Sequence, residues 1–516
     1  MNDKPKAADG VGRELRTDAA SEPAPRAFHG LRPADVSWPT SAVLGGREYQ
    51  PQGPSRDLHD PYTGDQITAP PDCSAADIDV AVRSARAAFA SGSWSATDVL
   101  ARRDVLLHWA DLIEQHARTF AVMDAVSSGK LARETQEVDV PFAARVVRWF
   151  AETLDKQAGV VAEDAPGHMA CMTRQPLGVI AGVVPWNYPL GIAVWKLAPA
   201  LAAGNSVILK PHEHTPYSTL LLASLAYRAG LPEGVLSVMP GGADTGASLG
   251  LHPDIDAVTF TGSAGAGAAF LRHAADSNLK RVTLECGGKS PLLLFTDAVQ
   301  EPGDLEAVVN AIHHGIFRNR GAICSATSRL LVQRPLYREI ATRVSVAADA
   351  LAMGDPLLPA TRIGPLVNLG HARAVRRWIQ DGARQGQIDT LRRPRDTDRC
   401  HVPPTVLSHL TPEADIVREE VFGPVLCILP FDTEEQAVAL AHASPYALSA
   451  SLWTRDLSRA HRLARRLRFG TVCVNDVDAI SPATAFGGMG LSGTGRDLSL
   501  EAFAASTVPK TIWLSH

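Results

Sequence analysis

Short apolar runs alternate with helical stretches from residue 178 to residue 288, and this alternation limits the possible folds more than any other feature. The apolar runs are GVIAGVVP (178–185), NSVILKP (205–211), VLSVMPG (235–241), DAVTFTG (256–262) and RVTLECGG (281–288). Helical patterns occupy 189–202, 215–230, 243–250 and 263–277. Continuous apolar runs are typical of strands buried on both faces. Their alternation with helices predicts a doubly wound parallel sheet with right-handed crossovers.

A second series of the same kind follows, which predicts a second α/β domain. Its apolar segments are PLLLF (291–295), TSRLLVQ (327–333), a stretch at 414–431 and TVCVND (471–476). A chain of 516 residues exceeds one compact core, so two or three domains are expected. Amphipathic helices are predicted upstream at 76–92, 99–118 and 142–156. The C-terminal tail alternates weakly and is interpreted as an edge strand added to a neighbouring sheet or subunit.

Composition argues against several classes of function. The net charge of -5 and the pI near 6.4 give no basic surface for nucleic acid. Seven scattered cysteines without a CxxC pair argue against a disulfide framework and a zinc site, so no metal is predicted and the chain is expected to be cytoplasmic. Residues 1–33 are polar and lack the apolar segment of a secretory signal, which predicts a disordered tail.

An uncharged segment from Gln175 to Trp195 is long enough to suggest a membrane span. Pro185, Asn187 and Pro189 interrupt its middle, however. A buried strand, a turn and a buried helix are therefore predicted instead, and no membrane partner is expected.

Cys324 lies among small residues in GAICSATSRL. Small neighbours give a thiol room for a substrate and bring backbone N–H groups close, which suits a nucleophile. The alternative is a buried, inert thiol, because free cysteine is among the most buried residue types. The stretch alone favours packing.

Two further residues have the chemistry of an active site. Glu285 stands at the end of the strand RVTLE before Gly287, where α/β sheets place their ligands; the alternative is an ordinary ion-paired glutamate. Asn187 lies between two prolines and offers a neutral N–H donor for an oxyanion; the alternative is a turn asparagine that supports its own backbone. Cys286 is expected to face away from Glu285 and to pack, because successive strand side chains alternate.

A dinucleotide site is indicated by several weak signals. Lys210 and Glu213 follow a predicted strand and are able to hold the hydroxyls of a ribose, and Glu213 would repel a 2′-phosphate, which favours NAD over NADP. Ser263 opens a helix with Gly262 and Gly267 nearby, as a phosphate site requires. The GxGxxG fingerprint is absent from its usual place after a first strand.

Seven motifs taken in order resemble the aldehyde dehydrogenase superfamily. They are PWNYP, GNSVILKPHEHTP, FTGS, LECGGKSP, GAICSATSR, EEVFGPV and FGGMGLSGTGRD. The likeness runs from about Leu58 to Lys510, and around Cys324 it is closest to the betaine and amino-aldehyde dehydrogenase branch. The resemblance implies two Rossmann-like domains, one for NAD (34–156 and 176–286) and one for catalysis (287–485). It also implies a small β arm (157–175 and 486–516) that builds a homodimer or homotetramer.

The resemblance also implies a mechanism and a set of roles. Cys324 attacks the aldehyde, Asn187 and the Cys324 backbone N–H hold the oxyanion, and Glu285 activates water against the thioester. Lys196 and Asp497 match positions of proton relay or support. The cofactor residues implied are Val184, Pro185, Trp186, Lys210, Glu213, Gly242, Gly246, Phe260, Gly262, Ser263, Gly287, Glu420 and Phe422. The substrate-tunnel residues implied are Phe142, Tyr188, Ile192, Trp195, Ile323, Ser325 and Ile480, all of which have core packing as their alternative.

The nucleophile stretch departs from the family pattern at three positions. Ala322 stands where the family usually has Gln, and Arg320 where it usually has a small residue. Arg318 takes the place of a Trp that the betaine-aldehyde branch often uses in an aromatic box, and an arginine facing the pocket would repel a cation. Other departures are Cys286 for Leu, Ala485 for Pro and Gly490 for Lys.

These features predict an active NAD-dependent enzyme that oxidises a small-molecule aldehyde. An amino or trimethylammonio aldehyde is one candidate substrate, and Asp139 is the nearby acid able to meet an amine. Two alternatives remain. One is a family relative without oxidation activity that acts as a structural or binding protein. The other is cofactor-independent thioester or esterase chemistry at Cys324.

Overall fold

The computed structural model describes residues 26–163, 167–395 and 399–515. Two seven-stranded sheets dominate it. The first has the spatial order Arg281–Glu285, Ala257–Thr261, Val179–Val183, Ser206–Lys210, Leu236–Val238, Ala42–Leu44 and Arg47–Tyr49. The second has the order Gln387–Ile388, Thr405–Ser408, Val425–Phe431, Arg329–Gln333, Pro291–Leu294, Ser449–Trp453 and Thr471–Val474. The predicted fold class, two parallel-sheet α/β domains, is confirmed.

The strands at the centre of the first sheet pair in parallel, as their apolar runs predict. Every residue of Val179–Val183 and of Ser206–Lys210 is buried, because helices cover both faces of the sheet. Thr261 pairs with Glu285, and Val183 pairs with Lys210. The carboxyl ends of four neighbouring strands therefore meet at one edge, where open α/β sheets bind ligands.

The seven helices that the periodicity predicts are present, with ends shifted by a few residues. The α-helices are Ala75–Ser91, Val99–Gln115, Ala117–Ser128, Ala132–Glu134, Val140–Thr153, Pro189–Ala202, Tyr217–Arg228, Ala243–Leu251, Ala264–Ala275, Asp304–Phe317, Tyr337–Asp349, Leu369–Gln385, Asp415–Arg418, Glu434–Ala441, Leu457–Arg466 and Ser499–Ala505. A π-helical turn, Thr135–Asp139, precedes Val140–Thr153. The segment 175–195 folds as the predicted strand, loop and helix. Within the described ranges, no helix is long and apolar enough to cross a bilayer.

A three-stranded antiparallel sheet projects from the two domains. Thr507–Ser515 pairs with His168–Pro176, which pairs on its other side with Val160–Ala162. The C-terminal tail thus forms a strand in a sheet of its own chain. Val161 and Trp513 expose large apolar side chains on this arm. The oligomeric role of the arm stays a prediction.

Residues 486–506, which were assigned to the arm, lie elsewhere. Gly493 forms a bridge with Glu285, and Phe486 forms one with Asp497. The helix Ser499–Ala505 packs on Pro189–Ala202. The glycine-rich motif therefore closes over the end of the first sheet, and the arm strand begins only at Thr507.

The disordered tail predicted for residues 1–33 is wrong at its end. Residues 1–25 lie outside the described residues, but Arg26 forms ion pairs with Asp60 at 2.7 Å and with Asp355 at 2.6 Å. Phe28 is buried in a core cluster with Leu58. An ion pair and an apolar anchor hold this segment to the body of the protein.

Candidate active site

One cavity of about 810 Å³ runs from the carboxyl edge of the first sheet to the loop that carries Cys324. Its walls come from both large domains. Twenty-two of the predicted site residues line it: Phe142, Val184, Pro185, Trp186, Asn187, Tyr188, Ile192, Trp195, Lys210, Glu213, Gly242, Gly246, Phe260, Gly262, Ser263, Gly287, Ile323, Cys324, Ser325, Glu420, Phe422 and Ile480. Three predicted catalytic residues, Glu285, Lys196 and Asp497, are not on the cavity wall.

Cys324 follows a tight turn that only certain residues permit. Gly321 has φ +70°, and a Cβ there would collide with the carbonyl oxygen of Gly423. The thiol lines the cavity and is partly exposed. Burial raises the pKa of the Cys324 thiol, and the charges of Asp478 and Glu420 raise it further. The resting thiol is therefore neutral, and it must lose its proton before it can attack a carbonyl.

Asn187 bonds across the chain and not within its own turn. Its Nδ2 donates to the carbonyl oxygen of Ala322 at 2.9 Å, and its own carbonyl accepts from Nδ2 of Asn319 at 2.9 Å. Asn187 is 4% exposed, and its acceptor Ala322 lies two residues before Cys324. These contacts do not match the turn alternative, because the amide is tied to the loop that carries Cys324 and not to its own backbone; the oxyanion role stays a prediction.

Glu285 is buried and turned away from the cavity. Its carboxylate packs against Gly487, and neither oxygen has a hydrogen-bond partner in the described part of the chain. Burial raises its pKa well above the ordinary value, and the charge of Asp497 adds to this rise while Lys196 opposes it. Lys196 Nζ lies 2.7 Å and 2.9 Å from the Asp497 oxygens, also under the cavity floor.

Cys286 packs as expected. It is 4% exposed, and its sulfur faces Gly267 while the preceding carboxylate faces Gly487. Successive side chains at this strand end thus point to opposite sides.

The sheet end of the cavity has the features of a nucleotide site. Lys210 and Glu213 follow the strand Ser206–Lys210, with Nζ and Oε2 4.0 Å apart. Ser263 begins the helix Ala264–Ala275, and its hydroxyl accepts from the N–H of Ala266 at 3.3 Å. A helix start beside a cation and a carboxylate fits the phosphates and the ribose diol of a dinucleotide.

The middle of the cavity is suited to a flat ring. Glu420 accepts from the N–H of Gly288 at 3.1 Å and leaves no room for a Cβ at Gly287, so backbone lines the wall there. Trp186 and Phe422 meet edge to face with centroids 5.4 Å apart. Burial raises the pKa of Glu420 to about 7. The residues present therefore fit NAD along the whole length from Lys210 to Glu420.

The remaining end of the cavity joins apolar rings to paired charges. Phe142 and Trp195 form one side, with centroids 6.2 Å apart. On another side Lys130 Nζ lies 3.0 Å from Asp139 and 3.5 Å from the ring centre of Tyr188. The prediction that Asp139 is free to meet an amine is therefore wrong, since a buried lysine already occupies it.

Arg318 faces the cavity, and its charge is compensated. Its Nη2 forms an ion pair with Asp478, and the other oxygen of Asp478 accepts from the Ser325 hydroxyl at 2.5 Å. Arg320, two residues on, is buried and 2% exposed, so it does not reach the cavity.

Sequence reasoning missed several residues of this site. His371 contacts Trp186 with ring centroids 5.2 Å apart and lies 2.9 Å from the carbonyl oxygen of Phe422 through Nε2. Asp478 is the ion-pair partner of Arg318, and Lys130 is the ion-pair partner of Asp139. Glu134 lines the same cavity. One signal was available for Asp478, because it lies close to Ile480, which the resemblance placed in the tunnel.

Comparisons with known proteins agree with this geometry. A profile of the Aldehyde dehydrogenase family matches residues 49–512. The chain is 45% identical over 441 residues to the NADP/NAD-dependent aldehyde dehydrogenase PuuC of Escherichia coli, covering 85% of this chain and 88% of that protein. It is 40% identical over 474 residues to Aminoacetaldehyde dehydrogenase of Pseudomonas aeruginosa, covering 92% and 93%. Among solved structures, the P. syringae Indole-3-Acetaldehyde Dehydrogenase AldA, in complex with NAD+ and IAA, superposes with a TM-score of 0.89 at 38% identity, covering 94% and 98%.

Proposed function

The chain belongs to the aldehyde dehydrogenase family, and on that basis we propose that it oxidises an aldehyde to its carboxylic acid through a thioester on Cys324. It is an NAD(P)-dependent enzyme. The observation that supports the proposal best is that one cavity holds a partly exposed thiol at one end and a ribose and phosphate site at the other. An acyl-transfer enzyme without oxidation would have no use for the second site.

Cys324, as its thiolate, attacks the aldehyde carbon and forms a thiohemiacetal. The Nδ2–H of Asn187 and the backbone N–H of Cys324 hold the oxyanion that develops. Lys210, Glu213, Ser263 and Glu420 would hold NAD, which would supply the acceptor for the hydride that leaves the substrate carbon. The thiohemiacetal thereby becomes a thioester on Cys324. Water must then cleave that thioester to release the acid.

Glu285 takes the proton from this water. The role requires its carboxylate to turn from Gly487 toward the cavity. Burial raises its pKa, which makes the carboxylate a stronger base than an ordinary glutamate, and its oxygens form no hydrogen bond in the described part of the chain that would resist the turn. The Lys196–Asp497 pair beneath it offers a route by which the proton leaves.

The substrate proposed is an amino aldehyde and not a betaine aldehyde. A quaternary ammonium needs open aromatic faces, but Lys130 already covers Tyr188, and Arg318 stands where an aromatic side would be. Asp139 and Asp478 are each paired with a cation. At the substrate end of the cavity, Glu134 is the wall carboxylate that has no ion-pair partner within 4 Å among the described residues, and its Oε2 has no hydrogen-bond partner there, so it is available to an ammonium. A relative named Aminoacetaldehyde dehydrogenase supports this choice.

Glu134→Gln is expected to raise KM for an ω-amino aldehyde about tenfold, because a charge-assisted hydrogen bond is lost. An uncharged aldehyde of equal length should keep its KM within about twofold. Steady-state NADH formation with both substrates measures the ratio. Glu137→Gln is the matched control, since Glu137 is an exposed glutamate in the π-helical turn that directly follows Glu134. An equal loss for both substrates would show that Glu134 does not recognise the amine.

Glu213→Gln is expected to lower the preference for NAD over NADP about tenfold. The substitution removes the repulsion between the Glu213 carboxylate and the 2′-phosphate of NADP, which is worth roughly 1.4 kcal/mol. The ratio of kcat/KM for the two cofactors measures this. Glu233→Gln serves as control, since Glu233 is an exposed glutamate paired with Arg47. An unchanged ratio would mean that Glu213 does not touch the ribose.

A panel of aldehydes with and without an amino group, followed by NADH absorbance, tests the proposed function itself. Oxidation of an aldehyde is the expected result. If no aldehyde yields NADH while Cys324 still hydrolyses an activated ester, the enzyme is a thioesterase or esterase. If neither reaction occurs, the chain is a binding or structural relative.

A further inference from the structure

The backbone just before the nucleophile is strained at two successive residues. Asn319 has φ +44° and Arg320 has φ +59°, and neither is a glycine. Side chains with a Cβ avoid this left-handed region, so two in a row persist only where surrounding contacts hold them. The strained pair lies five and four residues before Cys324, between the helix Asp304–Phe317 and the reactive thiol.

Arg320 supplies those contacts from a fully buried position. Its Nη1 donates to the carbonyl oxygen of Ser128 at 3.1 Å, at the end of the helix Ala117–Ser128. Its Nη2 donates to Oδ1 of Asn319 at 2.7 Å. Within the described residues, no carboxylate lies within ion-pair distance of this guanidinium. A cation buried without an ion-pair partner is costly, and here its hydrogen bonds go to groups that it orients.

The orientation of Asn319 follows from the bond with Arg320. A guanidinium only donates, so the oxygen of the Asn319 amide must face it. The amide nitrogen then faces the other way and donates to the carbonyl oxygens of Asn187 at 2.9 Å and Ala322 at 3.4 Å. Asn187 Nδ2 donates to the same Ala322 oxygen at 2.9 Å. One chain of hydrogen bonds thus runs from Ser128 through Arg320 and Asn319 to Asn187.

We propose that Arg320 is a positioning residue for the oxyanion site: by fixing the Asn319 amide, it holds Asn187 at a set place relative to Cys324. This rests on the proposed function, in which Asn187 stabilises the oxyanion. Where the family usually has a small residue at this position and Gln at 322, this chain has Arg320 and Ala322. Burial lowers the pKa of Arg320 to about 10, and the side chain still carries its charge at neutral pH.

The test compares two reactions of the same thiol in Arg320→Met. Acylation by p-nitrophenyl acetate needs an oxyanion site but no cofactor. Alkylation by iodoacetamide is a displacement of iodide and needs no oxyanion site. Acylation and kcat for aldehyde oxidation are expected to fall about 10- to 100-fold, because a small misplacement of an oxyanion donor has effects of this size. KM and the alkylation rate should stay within about twofold. Arg320→Lys, which keeps the charge and one donor, should recover part of the loss.

Arg376→Met is the matched control. Arg376 is also buried, at 5% exposure, and donates to the backbone carbonyls of Arg399 and His401 in the second domain. Its loss should leave the ratio of acylation to alkylation unchanged. If Arg320→Met does not fold, Asn319→Asp tests the same idea, because aspartate still accepts from Arg320 but no longer donates to Asn187 and Ala322.

Two outcomes would overturn the inference. Acylation that is unchanged in both variants would show that Arg320 does not act on the oxyanion site. Acylation and alkylation that fall in parallel would show that Arg320 merely keeps the loop folded. Neither the acylation rate nor the alkylation rate depends on aldehyde oxidation, so both outcomes can be read even if the proposed function fails.

Discussion

Replacing Cys324 with alanine is expected to lower aldehyde oxidation at least ~10⁴-fold, because the covalent route is lost with its nucleophile. The change removes one sulfur from a partly exposed position, so folding should be retained. NAD binding should also persist, since Lys210, Glu213 and Ser263 lie at the other end of the cavity. NADH formation measures the first effect, and quenching of tryptophan fluorescence by NAD measures the second.

Cys286→Ala is the matched control for this prediction. Cys286 is the other thiol on the cavity wall among the described residues, and its sulfur packs on Gly267. Its removal should leave kcat within about threefold, as expected for a buried packing residue. If Cys286→Ala abolished turnover and Cys324→Ala did not, the assignment of the nucleophile would be reversed.

The fold could be predicted because the strands of a parallel sheet have a strong apolar pattern in the sequence. Strands buried on both faces must be apolar throughout, and the helices between them must be long enough to cross back. The runs at 178–185 and 205–211 therefore became Val179–Val183 and Ser206–Lys210 with little change at their ends. Residues at the carboxyl ends of such strands share one edge, which is why Lys210 and Glu285 were recognised as candidates.

The substrate end was less readable, because its partners come from distant parts of the chain. Arg318 was suspected of repelling a cation, but its charge is met by Asp478, 160 residues later. Asp139 was predicted to meet an amine of the substrate, but it already forms an ion pair with Lys130. The spacing of residues along the sequence does not predict an ion pair between two separate elements. Which charges remain free to meet a substrate is decided only when the domains pack.

Arg26 and Phe28 illustrate the same limit at the N-terminus. The local composition is polar and rich in proline and alanine, which is typical of disorder. Their anchors, Asp60 and Asp355, belong to other segments, so only tertiary contacts order them.

Side-chain direction was the other quantity that the sequence left open. The position of Glu285 at the end of a predicted strand places it at the edge of the sheet, and the structure agrees. Its carboxylate, however, points toward Gly487 and the Lys196–Asp497 pair. The consequence is mechanistic. In the proposed mechanism the base is needed only after the hydride has left, so Glu285 is able to point away from the cavity during the earlier steps.

Glu285→Gln is accordingly expected to slow release of the acid about 10²- to 10³-fold, the size of a general-base contribution, while the formation of the thioester continues. The acyl-enzyme should then accumulate, and mass spectrometry of the intact protein should detect the added acyl group. Hydroxylamine attacks thioesters without a general base, so it should restore turnover in the variant. Full steady-state activity in Glu285→Gln would show that another group activates the water.

The pH dependence supplies an independent check on the same residue. Burial and the charge of Asp497 raise the pKa of Glu285 above that of an ordinary glutamate. The base must be ionised, so release of the acid should be slow below this raised pKa and should increase as the pH rises through it. The glutamine variant should lose that rise, because its amide does not titrate. A rise of the same midpoint in Glu285→Gln would assign the titration to Cys324, whose pKa is raised as well, and not to Glu285.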